Sequence, residues 1–364
     1  MRTHWIIKGA LALLVFTPLA LAQEEMGEAP AGQDMGIPKP AKELARYKAL
    51  EGCWKGKGTV APEPGAPAGE WTSVTETKWG YDGHWLVEKT VISMENMPKL
   101  MFKTFYGWDA EQHKFVSYGI GNMGGVCKAE IDWLSDGRML TTNQMIEQGH
   151  RVVDSGLCTW GKNECTFVMK RSIDGGDFFV HVKGTMEKVD AVELPAVDNA
   201  FPMPTPQPEM KRIAGMVGDY QMEATMIMAP GTPEMKISAT EAVSLKFDGS
   251  LMLFKSTGDP APEMGDFVYH GLGAMAWNPN ENRYDMIYIN NVGEGGLYHG
   301  HWLADQKALV MSFAGTYHGQ PCVNQGTTYC DDAGKVKGCE NYMIIGTHEP
   351  YRAFKGTYTP KRQG

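Results

Sequence analysis

Beyond its first two dozen residues, this 364-residue chain has no apolar stretch long enough to cross a bilayer as a helix, which takes about 20 residues. It also has no basic stripe. Its 34 Lys and Arg are outnumbered by 43 Asp and Glu, for a net charge of −9. Phosphate recognition needs clustered cations, so nucleic acid is excluded as a partner. The nucleophile and metalloprotease signatures G-x-S-x-G, S-x-x-K and H-E-x-x-H are all missing. No C-x2-C spacing signals a zinc site. No two carboxylates can be placed together from sequence, so acid–base catalysis has no footing. The reading leans away from an enzyme.

What is present begins with Arg2, Lys8, the short apolar run Gly9–Phe16 and Ala20-Leu21-Ala22. Residues 1–22 read as a secretory signal peptide cleaved between Ala22 and Gln23. The expected location is periplasmic or secreted. Without Arg2 and Lys8, 32 basic face 43 acidic side chains, a net charge of −11. Residues 23–40, rich in Pro, Gly and acid, read as a disordered leader. An exported chain makes disulfides plausible. Of seven Cys, Cys158 and Cys165 flank a Gly-Lys-Asn turn, whereas Cys322, Cys330 and Cys339 fall in what reads as a Gly-rich, charged loop. These five are the disulfide candidates.

The most informative stretch is Gly107–Tyr118, which reads as strand, tight polar turn, strand. Trp108, Asp109, Lys114 and Phe115 recur as Trp277, Asn278, Arg283 and Tyr284, all at an offset of 169. Tyr81-Asp82-Gly83-His84 recurs as Phe247-Asp248-Gly249-Ser250, and Tyr220 stands where Trp54 stood, both at 166. Such a period marks a duplicated domain, because solenoid repeats run about 20–50 residues. Turn signals about every ten residues, with little helix, predict an all-β fold. The units are 41–189 and 209–361, joined by a Pro-rich linker over 190–208. Each starts with a short helix, such as Ala41–Gly52 with Leu44, Tyr47 and Leu50 at helical spacing. An antiparallel sheet must hide its edges, and closure into a barrel does so. Gly119–Gly124 spells G-x-G-x-x-G, but a strand-like alternation follows it, so it reads as a barrel turn.

Leu50–Val60 (LEGCWKGKGTV), a Pro-Gly loop, the Thr75-Glu76-Thr77 strand, the Asp-Gly turn and the W-D-x4-K-F hairpin resemble the bacterial family called domain of unknown function 1579. Each half resembles it, the first more closely. The resemblance implies two tandem antiparallel calycin-like barrels, in the manner of lipocalins and nitrobindins, and no activity. The G-x-W-x-G-x-G run at Gly52–Gly58 also looks like the opening of the nitrobindin-type haem barrels, which ligate iron through a late His. His181 and His348 occupy late positions in the two halves but do not correspond.

The expected function is therefore a small apolar ligand held in one or both barrels, or a structural role, with no cofactor. Trp54, Trp108, Tyr220 and Trp277 are the candidate pocket aromatics. The alternative is a haem, Zn or Cu protein using His299 and His301, which share one face of a strand, or His348. An exported enzyme ranks third.

Overall fold

A computed structural model describes residues 38–361, apart from 136, 148, 198, 201–207, 228, 229, 261–266 and 318. The signal-peptide reading, including Ala22 and Gln23, and most of the leader lie outside the described residues. The described chain starts fixed in place: Pro38 is buried, and His84 Nε2 donates to its carbonyl at 3.1 Å.

The first unit opens with a 3-10 helix, Lys42–Leu50. Leu44, Tyr47 and Leu50 are its buried residues. A spacing of three suits a helix with three residues per turn, which stacks i and i+3 on one side. Ten strands follow: β1 (Gly52–Val60), β2 (Gly69–Gly80), β3 (Trp85–Met94), β4 (Leu100–Asp109), β5 (Lys114–Gly121), β6 (Gly125–Ser135), β7 (Arg138–Glu147), β8 (His150–Trp160), β9 (Glu164–Ile173) and β10 (Phe179–Val189). Each pairs antiparallel with its sequence neighbour, and β1 pairs with β10 to close the barrel.

The second unit starts with α1 (Pro208–Ile213), its Pro at the first helical turn, where the missing N–H costs nothing. Its strands are β11 (Gly218–Met226), β12 (Met235–Lys246), β13 (Leu251–Gly258), β14 (His270–Asn278), β15 (Arg283–Asn290), β16 (Gly295–Leu303), β17 (Ala308–Tyr317), β18 (Gln320–Cys330), β19 (Val336–Ile345) and β20 (Tyr351–Pro360). They form a second closed barrel with the same up-and-down order.

The internal repeat is geometric as well as textual. Trp108 faces Phe115 edge-on at 4.8 Å, and Trp277 faces Tyr284 at 5.0 Å. Asp109 Oδ1 accepts the N–H groups of Glu111 and Gln112, and Asn278 Oδ1 accepts those of Asn280 and Glu281. His113 and Asn282 both take left-handed φ values, 51° and 52°. Trp54 Nε1 donates to the Leu50 carbonyl, and Tyr220 Oη to the Met216 carbonyl, each reaching back four residues to pin the barrel base to its helix.

The barrels pack against each other. Outward-facing Trp85, Phe105, Val116, Tyr118 and Ile120 of the first meet Leu251, Leu272, Ala274, Ile287 and Ile289 of the second in one buried cluster. Trp85 Nε1 donates to the Asn290 carbonyl at 2.8 Å, and Asn291 Nδ2 to Asp82 Oδ2 at 2.6 Å. A Cβ on Gly295 would come within 2.7 Å of the Trp85 ring, so only glycine lets this strand approach.

One expectation is corrected. Cys322 and Cys330 lie in β18 and Cys339 in β19, all buried, and no long loop contains them. All seven thiols are free in the structure. Cys158 and Cys165 do lie on either side of the β8–β9 turn, where Cys165 Sγ donates to the Thr166 carbonyl at 3.6 Å.

Truncating Trp85 to Ala removes a buried indole and its bond to the partner barrel. The expected cost is about 3–5 kcal/mol. Urea unfolding of the variant should resolve into two transitions, one per barrel, and an unchanged midpoint would contradict the packing described.

Candidate functional site

The two barrels differ inside. Side chains alternate along each strand, so the register identifies the inward set. In the second barrel the middle of that set is packed: Tyr220, Met222, Phe254, Met275, Met286, Tyr288, Tyr298 and Met311 are all buried, while Phe313 toward one end is partly buried. In the first barrel, Leu44, Tyr47, Leu50, Leu86, Ile131 and Met139 fill the end next to the 3-10 helix, and Trp71, Val152 and Asp154 are buried toward the other. Further along, inward-facing Thr90, Ile92, Phe102, Thr104, Thr141 and Phe167 are only partly buried. Inward-facing Cys127 is exposed. The first lumen is thus open beyond its plug. Trp71 lies along its wall over Gly58 and Gly184, where a Cβ would approach its ring to 2.6 and 2.4 Å.

Each lumen carries a glutamate at mid-strand. Glu88 of β3 sits between inward Leu86 and Thr90. It accepts from Thr90 Oγ1 at 3.3 Å and from Tyr106 Oη at a long 3.5 Å. Desolvation pushes its carboxyl up to about 7, against weaker opposing hydrogen bonds from Thr90 and Tyr106. Yet Glu88 retains accessible surface, so that surface faces the lumen. Glu241 of β12 is 1 % exposed, accepts one bond from Ser256 Oγ at 3.1 Å, and has no partner for Oε1. Burial raises it well above the usual carboxylate range. Glu241 and Ser256 face each other across β12–β13 as Thr75 and Thr90 do across β2–β3, the same lattice site at an offset of 166. The signal for both glutamates was readable in the sequence: an acid within an alternating apolar face, Leu86-Glu88-Thr90 and Ala239-Glu241-Val243.

A cavity of about 280 Å³ lies where the barrels meet, between the Asp109–Gln112 turn of the first and the mouth of the second. Trp85, Trp108, Tyr118, Tyr298, Phe313 and Tyr317 supply its rings. Asp109, Glu111 and Glu294 supply carboxylates, and Lys39 a cation. His84 lines its edge with a pKa lowered mainly by burial.

Of the four aromatics expected at a pocket, Trp108 lines this cavity. Trp54 and Tyr220 are each 1 % exposed and close the barrel bases. Trp277 packs on the second core beside Tyr284. His299 and His301 do share a face, but it is the outer one: Tyr298, Gly300 and Trp302 take the inward positions. His299 Nδ1 instead bonds Asp285 at 2.6 Å. His348 is exposed after β19, and His181 Nδ1 bonds the Ala61 carbonyl at 2.7 Å. Among the described residues, no three His, Cys, Asp or Glu side chains come together as a metal site.

Two segments, 39–155 and 205–336, match one family model, "Protein of unknown function (DUF1579)". The chain belongs to this family. It carries the family domain twice, and each match covers most of a barrel. No curated protein matches. Among solved structures, a DUF3598-family protein of unknown function from Nostoc punctiforme is 9% identical, with a TM-score of 0.24 over 88% of this chain and all of that one. A candidate AttH from Nitrosomonas europaea is 10% identical, with a TM-score of 0.12 over 93% of this chain and 98% of that one. No helix among the described residues is long and apolar enough to cross a membrane.

Because burial raises the folded-state pKa of Glu241 well above its ordinary value near 4.5, the folded state holds the extra proton as pH rises past that value. Stability therefore falls as pH rises past about 4.5. Glu241→Gln is expected to match the wild type at pH 4 and exceed it at pH 8 by about 1–3 kcal/mol, measured by urea unfolding at both values. Equal stability at pH 8 would count against an unpaired acid there.

Proposed function

We propose that this is an exported, non-enzymatic carrier of a small, largely apolar molecule, with no resident cofactor. The observation that carries the reading is the junction cavity, whose six aromatic rings come from both barrels. Its volume of about 280 Å³ sits at the small end of ligand pockets, which run about 300–1,000 Å³. It fits one or two fused rings. The carboxylates around the mouth disfavour an anionic ligand. Export rests on the composition of residues 1–22.

Two features favour a carrier over a structural module. The lining combines ring faces with a few polar groups, as small-molecule sites do. It is also assembled from two packed units, so a relative shift of the barrels would open it.

The test is a fluorescence titration with N-phenyl-1-naphthylamine, a neutral apolar dye. Saturable enhancement is expected. Ala110→Trp, which places an indole at the turn lining the cavity, should weaken it at least tenfold, while Glu88→Gln leaves it unchanged. Absence of saturable binding, or binding indifferent to Ala110→Trp, overturns the proposal.

A further inference from the structure

The open lumen of the first barrel contains a second arrangement with no part in the junction cavity. Glu88, Thr77, Thr90 and Tyr106 are absent from that cavity's lining, and the plug of Leu44, Tyr47 and Leu86 closes this end of the lumen. Thr77 lies directly across from Glu88 on β2, and Thr104 directly across on β4. The Thr77 side chain is 2 % exposed, and its Oγ1 has no hydrogen-bond partner. Facing residues in adjacent strands hold their Cβ atoms about 4.5–5.5 Å apart. An acceptor-rich patch therefore surrounds the Glu88 carboxyl.

What this patch lacks is a counter-charge. The groups facing Glu88 are Thr75 and Thr77 from β2, Thr104 and Tyr106 from β4, and Cys158 and Cys165 from β8 and β9. None is cationic. The inward Arg171 is held by a two-pronged contact to Asp154, at 2.8 Å on each arm, and by Glu147 at 3.1 Å. Lys188 lies over the Trp54 ring at 5.3 Å with its ammonium beside Gly52, the β1 partner of Thr77, and forms no ion pair with Glu88. A carboxylate out of water is costly unless a cation meets it. Phe102 and Tyr106 flank the site on β4, and aromatic faces attract cations.

We propose that the lumen of the first barrel binds a small organic amine, with its ammonium group seated between Glu88 and Thr77 and its body against the inward aromatic rings. An ammonium has three donors and no acceptor. Glu88, the unpartnered Thr77 hydroxyl and Thr104 present three acceptors on adjoining strands. The second barrel has no equivalent. Phe254 takes the place of Glu88 there, and its own glutamate is sealed in a packed core. The site thus belongs to one copy of the duplicated domain only.

The carboxyl of Glu88 ionises near 7 in the empty barrel, so the amine must draw a proton off it below that pH. Binding should weaken about tenfold from pH 8 to pH 6. The experiment is calorimetric titration with benzylamine, cationic throughout this range, against its neutral isostere benzyl alcohol. Benzylamine is expected to bind at one site, at least tenfold tighter than the alcohol at pH 8. Glu88→Gln should lose at least tenfold and flatten the pH dependence, and Ala110→Trp should change nothing. Carbon-13 NMR of labelled glutamate side chains in the wild type keeps the test independent of any variant. Saturating benzylamine should lower the Glu88 midpoint by at least one unit. No saturable binding, equal binding of amine and alcohol, or an unmoved Glu88 midpoint overturns the proposal.

Discussion

The contact between the two barrels is the constraint on which the rest of this molecule depends. Each sheet closes on itself, so neither barrel needs the other to satisfy its backbone. What needs covering is the outward apolar face of the first barrel, with Trp85, Phe105, Tyr118 and Ile120. An exposed patch of that size would drive association. The second barrel covers it, and the fit is specific. The indole of Trp85 reaches the Asn290 carbonyl, and glycine at 295 lets β16 come close enough. The junction cavity follows directly, because the Asp109–Gln112 turn is carried over the mouth of the second barrel.

Duplication supplied two equivalent scaffolds, and the inward residues then took them in different directions. Both retain the base pin, the Asp-Gly corner and the aromatic hairpin, because these are conditions of closing the sheet. The lumens are not under that condition. Large tyrosines and methionines fill the second, leaving Glu241 as an isolated acid in a dry core. Threonines and glycines line much of the first, leaving Glu88 facing open space. One copy gives rigidity and a wall for the junction, and the other keeps an interior.

Much of the fold was readable because its signals are local. The hairpin at Gly107–Tyr118 and its copy declare themselves through turn chemistry, Asp109 and Asn278 each capping their own turn. Strand order followed from the short connections. Cys322, Cys330 and Cys339 were misread as a loop because Gly326, Asp331, Asp332, Gly334 and Gly338 look like turn residues. Pairing between β18 and β19 overrides that local preference and confines the turn to a few residues after Cys330. The sites were harder. Whether Trp54 lines a pocket or plugs a base depends on a bond to Leu50 that composition does not reveal. The outward turn of His299 and His301 depends on strand phase, which Tyr298 and Trp302 set by facing in. The junction cavity joins residues about 200 positions apart, and no periodicity links them.

The central claim is that the first barrel keeps free space around Glu88, whereas the second is filled everywhere but at the mouth facing the junction cavity. A high-resolution crystal structure of the whole chain tests it most directly, through the electron density inside each barrel. Ordered water or a bound molecule should fill the first lumen around Glu88, while the core around Glu241 and Tyr288 should be dry. A first lumen closed by its own side chains, or water threading the second, would contradict it.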